Sequence, residues 1–117
     1  MTETTELYRG IILLTLRMRC SLGKVCEPHD LTPVQGMVLI MLEPGQSMTM
    51  NKLTCVLGCD ASNTTGLVDR LEAQGMITRS KDPSDKRVTM IGLSTAGEAR
   101  RHELLNKLSD KDGLGFD

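Results

Sequence analysis

Apolar side chains recur along this chain with helical spacing in five stretches and alternate with polar ones in two. The segment from Leu7 to Leu22 is apolar with arginines interspersed and predicts a first helix. Gly23 to Asp30, which contains Pro28, reads as a connector. Thr32-Pro33-Val34-Gln35 is a helix start: Thr32 can cap, Pro33 suits the first turn, and Gln35 completes a capping box. Val38, Leu39, Met41 and Leu42 then supply a buried side, and Glu43-Pro44-Gly45 ends the helix. Thr49 is the expected cap of a third helix, with Met50, Leu53, Val56 and Leu57 at helical spacing. Gly58-Cys59 makes a turn, and Asp60 caps the next helix. There Ala61, Thr64, Leu67, Val68 and Leu71 form one stripe. Ser62, Gly66, Asp69 and Ala73 lie opposite, with Asn63, Thr65 and Arg70 at the edges. Gly75 stops this helix in a left-handed conformation.

The period then changes to two. Met76 to Arg79 and Arg87 to Leu93 read as paired strands with Asp82-Pro83-Ser84-Asp85 at their tip. Ser94 caps a last helix carrying Ala96, Ala99, Leu104, Leu105 and Leu108, and the tail from Asp110, with Gly113 and Gly115, is expected to be disordered. A helix-turn-helix followed at once by a β-hairpin is the plan of a winged helix, so the expected fold is mainly α with a small β-hairpin wing. In that plan the second helix, 60–74, fits the DNA major groove while the wing, 80–87, reaches the flanking backbone or minor groove.

Composition bounds this picture. A chain of 117 residues is read as one domain. Within it, 31–94 forms the DNA-binding lobe, 1–30 and 95–109 supply the terminal helices and connector as the expected dimer interface, and 110–117 is the tail. Hydrophobic content of 39% and charged content of 25% are those of an ordinary globular protein. With Tyr8 and Phe116 the only two aromatic residues, aliphatic residues and eight Met must fill the core, and base-stacking single-strand modules are disfavoured. No run approaches a membrane span; Ile11 to Leu16 is short and flanked by Arg9, Arg17 and Arg19, and a cytoplasmic location is expected.

The net charge of -1 and pI near 6.1 do not advertise a DNA binder, yet Arg79 to Arg87 holds four basic residues (Arg79, Lys81, Lys86, Arg87) against Asp82 and Asp85. Phosphate neutralisation is local, screened beyond ~8–10 Å, so the patch outweighs the total.

Several residues are candidates for contact. Ser62, Asn63 and Thr65 are short polar side chains near the start of the recognition helix, where base edges are met; Asn can pair with adenine, and Thr can meet a thymine methyl or a phosphate. Ser and Asn can equally reinforce the Asp60 cap. Gly66 costs about 0.5–1 kcal/mol relative to Ala in mid-helix, and close approach of the helix backbone to DNA would account for it. Arg87 can meet phosphates or enter a narrow minor groove. Arg70, at the helix edge, can touch phosphate or pair with Asp69 or Glu72 on the surface, and Arg79 and Lys86 are candidate phosphate partners.

Of the four cysteines, Cys55 and Cys59 are four apart, which leaves a thiol- or metal-sensing alternative open, although free Cys is more often a small buried hydrophobe. Cys20 and Cys26 add little, and reduced thiols are the default. There is no paired-carboxylate, phosphate-loop or Cys/His catalytic pattern, so no enzyme, cofactor or metal is expected.

The run LGCDASNTTGLVDRLEAQGMI, followed by DPSDKR and then GLSTAGEA, resembles the MarR family of bacterial and archaeal transcription regulators. The likeness extends from about Leu31-Thr32-Pro33 through Gly97. Asp85-Lys86-Arg87 matches the family's Asp-x-Arg wing element, and Leu93 to Gly97 matches its Leu-Thr-x-x-Gly element with Ser for Thr. The resemblance implies that Asp85 orients an arginine by a salt bridge. It also implies a transcriptional regulator that binds a pseudo-palindromic operator in duplex DNA as a homodimer, with a small-molecule effector as a further partner. One modest helix follows the wing where the family has a long final one, so the expected dimer is smaller or rearranged. Cys59 stands where the family commonly has an aliphatic residue. The rival from another class is a winged-helix protein-interaction module, supported by the acidic total.

Overall fold

The computed structural model of the chain describes residues 2–109. In chain order it contains α1 (Thr2–Cys26), a 3-10 turn (Glu27–His29), α2 (Pro33–Met41), β1 (Ser47–Thr49), α3 (Met50–Leu57), α4 (Ala61–Ala73), β2 (Ile77–Asp82), β3 (Asp85–Leu93) and α5 (Thr95–Leu108). The expected tail from Asp110 lies outside the described residues. The described residues divide into two compact units, 38–102 and 2–37 with 103–109.

In the 38–102 unit, three strands form an antiparallel sheet in the order β1-β3-β2. The wing hairpin pairs Ile77 with Leu93 through Lys81 with Thr89, then shifts register before the Pro83-Ser84 turn. The third strand, β1, adds Met48 opposite Ile91 on the other edge of β3. It was not expected. Three residues, Ser-Met-Thr, carry no alternation of their own, and only the distant partner makes them a strand.

Local signals account for the helix ends of this unit. Thr49 Oγ1 accepts the Lys52 N–H at 3.0 Å, and Gly58 closes α3 at φ 67°. Asp60 Oδ1 accepts the Asn63 N–H at 2.8 Å to start α4. Thr64, Leu67, Val68 and Leu71 are buried on one side of α4. The Thr64 hydroxyl donates to the Asp60 carbonyl at 3.0 Å, so its burial leaves no polar atom stranded. Ala61, expected at the head of that stripe, is exposed because it lies in the first turn. With φ 77°, Gly75 lets its own N–H reach the Glu72 carbonyl and the Met76 N–H reach the Leu71 carbonyl, both at 2.9 Å. The turn uses Met76, so β2 begins at Ile77 rather than Met76.

The start of α5 is fastened to that turn. Ser94 N–H donates to the Met76 carbonyl, Ser94 Oγ donates to the Gly75 carbonyl, and Gly97 N–H donates to Ser94 Oγ at 2.9 Å. A Cβ on Gly97 would overlap the Met76 carbonyl oxygen. The Leu93 to Gly97 element is therefore a backbone-contact device: Ser to bridge, Gly to let the helix touch the turn. Arg101 donates to the Ile40 carbonyl at 3.2 and 3.3 Å and lies 3.8 Å from Glu43, a cation at the end of α2. Val38, Leu39, Leu42, Leu53, Leu67, Val68, Leu71, Ile77 and Ile91 are the buried apolar residues of this unit.

In the other unit, α1 is longer than the expected Leu7 to Leu22. Gly23 to Cys26, expected in a connector, continue the helix, and the chain turns only at Pro28 and Asp30, whose φ of 58° is left-handed. Thr32 Oγ1 accepts the Gln35 N–H at 3.2 Å while Gln35 Oε1 accepts the Thr32 N–H at 2.8 Å, the reciprocal cap read from the sequence. A Cβ on Gly36 would stand 2.5 Å from Cys26 Sγ, so its absence lets the end of α1 approach α2. Burial pushes the Cys26 thiol pKa up. Among the described residues, Leu22, Cys26, Leu31 and Leu104 are the buried apolar ones here. By contrast Leu7, Tyr8, Ile11, Ile12, Leu13, Leu14, Leu16 and Met18, all on α1, are exposed. Leu104, expected to face a dimer partner, is fully buried within the chain; Leu105 and Leu108 are half-buried.

Candidate nucleic-acid interface

Helix α4 turns its polar side outward within the 38–102 unit. Ser62, Asn63 and Thr65 are exposed in its first turns. Ser62 Oγ donates to Asp60 Oδ1 at 3.1 Å and Thr65 Oγ1 donates to the Ala61 carbonyl at 2.9 Å, so both hydroxyls have local partners and keep their acceptor lone pairs. Asn63 contributes its backbone N–H to the Asp60 cap and leaves its exposed carboxamide outside it. Of the three side chains, that of Ser62 is the one that joins the cap. A Cβ on Gly66 would meet nothing within 4 Å, so no contact inside the described residues requires glycine there. Arg70 is exposed and, among the described residues, enters no ion pair.

The wing tip is preorganised by its own carboxylates. Asp82 Oδ1 accepts the Ser84 N–H at 2.9 Å and the Ser84 hydroxyl at 2.8 Å, which fixes the turn behind Pro83. These bonds from the Ser84 backbone and hydroxyl hold the Asp82 carboxyl pKa below its ordinary value. Asp85 grips Arg87 from two sides: Oδ1 accepts Nε at 3.1 Å, Oδ2 accepts Nη2 at 3.3 Å, and Oδ1 also accepts the Arg87 backbone N–H at 3.1 Å. The Arg87 side chain, followed by its backbone N–H, lowers the Asp85 pKa. The Arg87 side chain is nevertheless 90% exposed, a cation held in one direction and open to solvent. Lys86 is exposed beside it and, among the described residues, enters no ion pair. Lys81 donates to Thr89 Oγ1 at 3.0 Å across the hairpin.

Arg79 differs from the other basic residues of the hairpin. It forms ion pairs with Asp69 and Glu72 on α4, the second at 3.3 Å, and its side chain is only 26% exposed. Arg79, expected as a phosphate partner, thus has its guanidinium engaged by two carboxylates of the chain itself. Sequence reading offered these two carboxylates to Arg70 on the same helix; that they pair with Arg79 on β2 has no signature in spacing. It also missed a cleft of about 200 Å³ lined by Thr49, Met50, Asn51, Arg87, Val88 and Thr89, between the start of α3 and the Arg87-Val88-Thr89 segment of β3. The only sequence cue to it is the polar Asn51 just after the Thr49 cap.

Cys55 is exposed and Cys59 half-buried, with Cys59 Sγ 3.8 Å from the Leu57 carbonyl. Among the described residues no group of three or more His, Cys, Asp or Glu side chains is placed to hold a metal ion. The metal-sensing alternative at Cys55 and Cys59 thus finds no third ligand.

A recognition-type helix held at a Gly turn, followed by a hairpin with an oriented arginine at its tip, makes this unit a winged helix-turn-helix. The MarR family model matches residues 31–89, half the chain, and the chain belongs to the MarR family. It is 29% identical to the multiple antibiotic resistance protein MarR of Escherichia coli K12, over 85% of this chain and 74% of that one. It is 32% identical to an HTH-type transcriptional regulator of Bacillus subtilis, YsmB, over 72% of this chain, and there spans 58% of the relative's length. Among solved structures it resembles a cysteine-to-serine mutant of E. coli MarR complexed with operator DNA. That match has a TM-score of 0.76 and 28% identity, and covers 92% of this chain and 76% of that one.

Proposed function

We propose that this protein is a sequence-specific transcriptional regulator that binds duplex DNA with α4 in the major groove and the β2–β3 wing on the flank. The observation that carries the reading is the Asp85–Arg87 pair, which aims an exposed guanidinium from the wing in the same unit as an outward polar face on α4. Asn63, Thr65 and Ser62 then meet bases or phosphates, Gly66 admits the helix backbone close to the groove, and Arg70, Lys86 and Arg87 neutralise phosphates. Asp85 acts through Arg87. The relative solved with operator DNA supports this use of the fold.

The protein works as a homodimer on a pseudo-palindromic operator, because two recognition helices must meet half-sites about one helical turn (~34–36 Å) apart. Exposed apolar residues on α1 supply the surface for that pairing. A small-molecule effector that changes the spacing of the two heads would release DNA. The protein acts by binding rather than catalysis, in the cytoplasm; among the described residues no helix is long and apolar enough to cross a membrane.

The test is a fluorescence-anisotropy titration against duplexes selected from random sequence, at two salt concentrations. Selected duplex should bind at least ~10³ more tightly than random duplex. Equal affinity for both would remove the regulator reading and favour the interaction module.

A further inference from the structure

Within the wing, Arg79 and Arg87 occupy contrasting settings. The first is largely enclosed and paired with two carboxylates of α4; the second is solvated at the tip. Arg79 lies on β2 opposite Ile91, at the base of the hairpin. Its Nη2 donates to Asp69 Oδ1, and its Nε, itself buried, faces Glu72 Oε1 at 3.3 Å without the alignment of a hydrogen bond. Asp69 and Glu72 stand three positions apart on α4, adjacent on one face, where a guanidinium fork can address both.

We infer that Arg79 is a positioning residue, fastening the wing to α4 and shielding the Asp69 and Glu72 carboxylates from DNA phosphates. The inference rests on the DNA-binding reading above and assigns Arg79 no phosphate of its own.

From α4 the chain enters the hairpin through Gly75 and Met76, and the two 2.9 Å turn bonds fix one point of attachment. The pairing of β1 with β3, the Ser94 bonds to the turn and the buried Ile77 and Ile91 also hold the base of the hairpin; the ion pairs at Arg79 add a polar tie from β2 to the body of α4, and that tie bears on the angle between strand and helix. That angle decides whether the groove-reading helix and the flank-reading tip engage the same duplex together.

Electrostatics favours the same role. Duplex DNA carries one negative charge per ≈ 1.7 Å of axis, so two bare carboxylates on the recognition helix would oppose docking. One shared guanidinium cancels half of that charge and holds both groups away from free rotation. A cation so engaged releases no counterion from DNA, unlike Arg87.

The test uses the full chain and two variants, each checked for fold by circular dichroism: Arg79→Gln, and the double variant Asp69→Asn with Glu72→Gln, which leaves Arg79 in place. Affinity for selected and random duplex is measured against salt, and backbone amide order parameters of residues 80–87 are measured by NMR without DNA. For Arg79→Gln the expected result is at least a tenfold loss for selected duplex with the log–log salt slope unchanged, and wing order parameters falling from ~0.85 toward 0.6. For the double variant, random duplex should bind more tightly, selected duplex should gain less or lose, and the wing should loosen. A slope reduced by about one in Arg79→Gln, with the wing still ordered in both variants, would make Arg79 a phosphate contact and overturn the inference. If the unaltered protein binds no duplex, the regulator reading fails by itself, and the wing order parameters still decide the fastening role.

Discussion

Helices α1 and α4 are both amphipathic in sequence and end in opposite situations. In α4 the stripe of Thr64, Leu67, Val68 and Leu71 is buried, and polar residues cover the remaining surface. In α1 only Leu22 and Cys26 are buried, while eight large apolar side chains from Leu7 to Met18 face solvent. Burying one such side chain contributes about 1.5–3 kcal/mol, so α1 leaves far more stabilisation unrealised than an isolated soluble helix normally does. The difference separates two kinds of surface. The outward face of α4 is polar and suited to a polyanion; that of α1 is apolar and suited to another protein surface.

The comparison breaks most directly at α1. Replacing Ile11 and Leu14 together by Glu should convert a dimer into a monomer. Placing charge where about 2–5 kcal/mol of burial per residue is expected shifts the dissociation constant by ~10³ or more. Light scattering across a dilution series reads the outcome. An unaltered protein that is already monomeric at tens of micromolar would end both the dimer and the two-half-site mechanism. On the α4 side, Leu71→Ala should destabilise the fold by about 2–5 kcal/mol by leaving a cavity in a well-packed site. Urea melts should show that loss equally at all protein concentrations, whereas the loss from Leu14→Ala should shrink on dilution, as the unaltered protein itself dissociates and the missing contact ceases to count. Identical behaviour of the two variants would erase the distinction between the helices.

How much of this was legible in sequence follows the range of each interaction. Thr32 with Gln35, Thr49, Asp60 and Ser94 act within three residues, and each caps where its side-chain chemistry says it should. Gly75 was legible for the same reason. The burial of α4 followed from its stripe, except at Ala61. Strand β1 was illegible because Met48 becomes a strand residue only against Ile91, far along the chain. The run of α1 past Gly23 was missed because a glycine and a nearby proline read as an end, while the turn begins only at Pro28. At the candidate site, the wing pair was legible through the family element containing Asp85 and Arg87. The Arg79 pairing needed tertiary structure, since nothing in spacing brings β2 to Asp69 and Glu72.

A smaller effect sharpens what the polar face of α4 is for. Gly66→Leu should leave the melting temperature unchanged or raised, because the position has open space around it and Leu is the better helix former. Selected duplex should nevertheless bind ~100-fold or more weakly, about 2.7 kcal/mol, as the added side chain holds the backbone off the groove. Normal binding by a folded Gly66→Leu protein would mean the glycine has no close-approach role, and contact at α4 would rest on side chains alone.

The smallest effect tests the wing tip. Arg87→Ala should weaken binding to every duplex by roughly tenfold and reduce the log-affinity against log-salt slope by about one, one phosphate contact's share. Stability should barely move, because the side chain is 90% exposed and its ion pair is a solvated one. The Asp85 partner sets how this contribution depends on pH. Its pKa is lowered by Arg87, so the carboxylate form is favoured in the folded state. A depressed carboxyl contributes its pairing fully above the unfolded value of ~3.9 and loses it only as pH falls through the lower folded value. Between pH 5 and 8 the pair should therefore stay charged, and the Arg87 contribution to affinity should be flat. Asp85→Asn should show the other half of the device. With the charge removed but the shape kept, Arg87 loses its fixed direction, and selected duplex should lose more affinity than random duplex, although removing a negative charge favours both. Equal gains for the two duplexes would show that Asp85 does not orient Arg87 for recognition, and would leave the wing as a point charge beside a helix that reads alone.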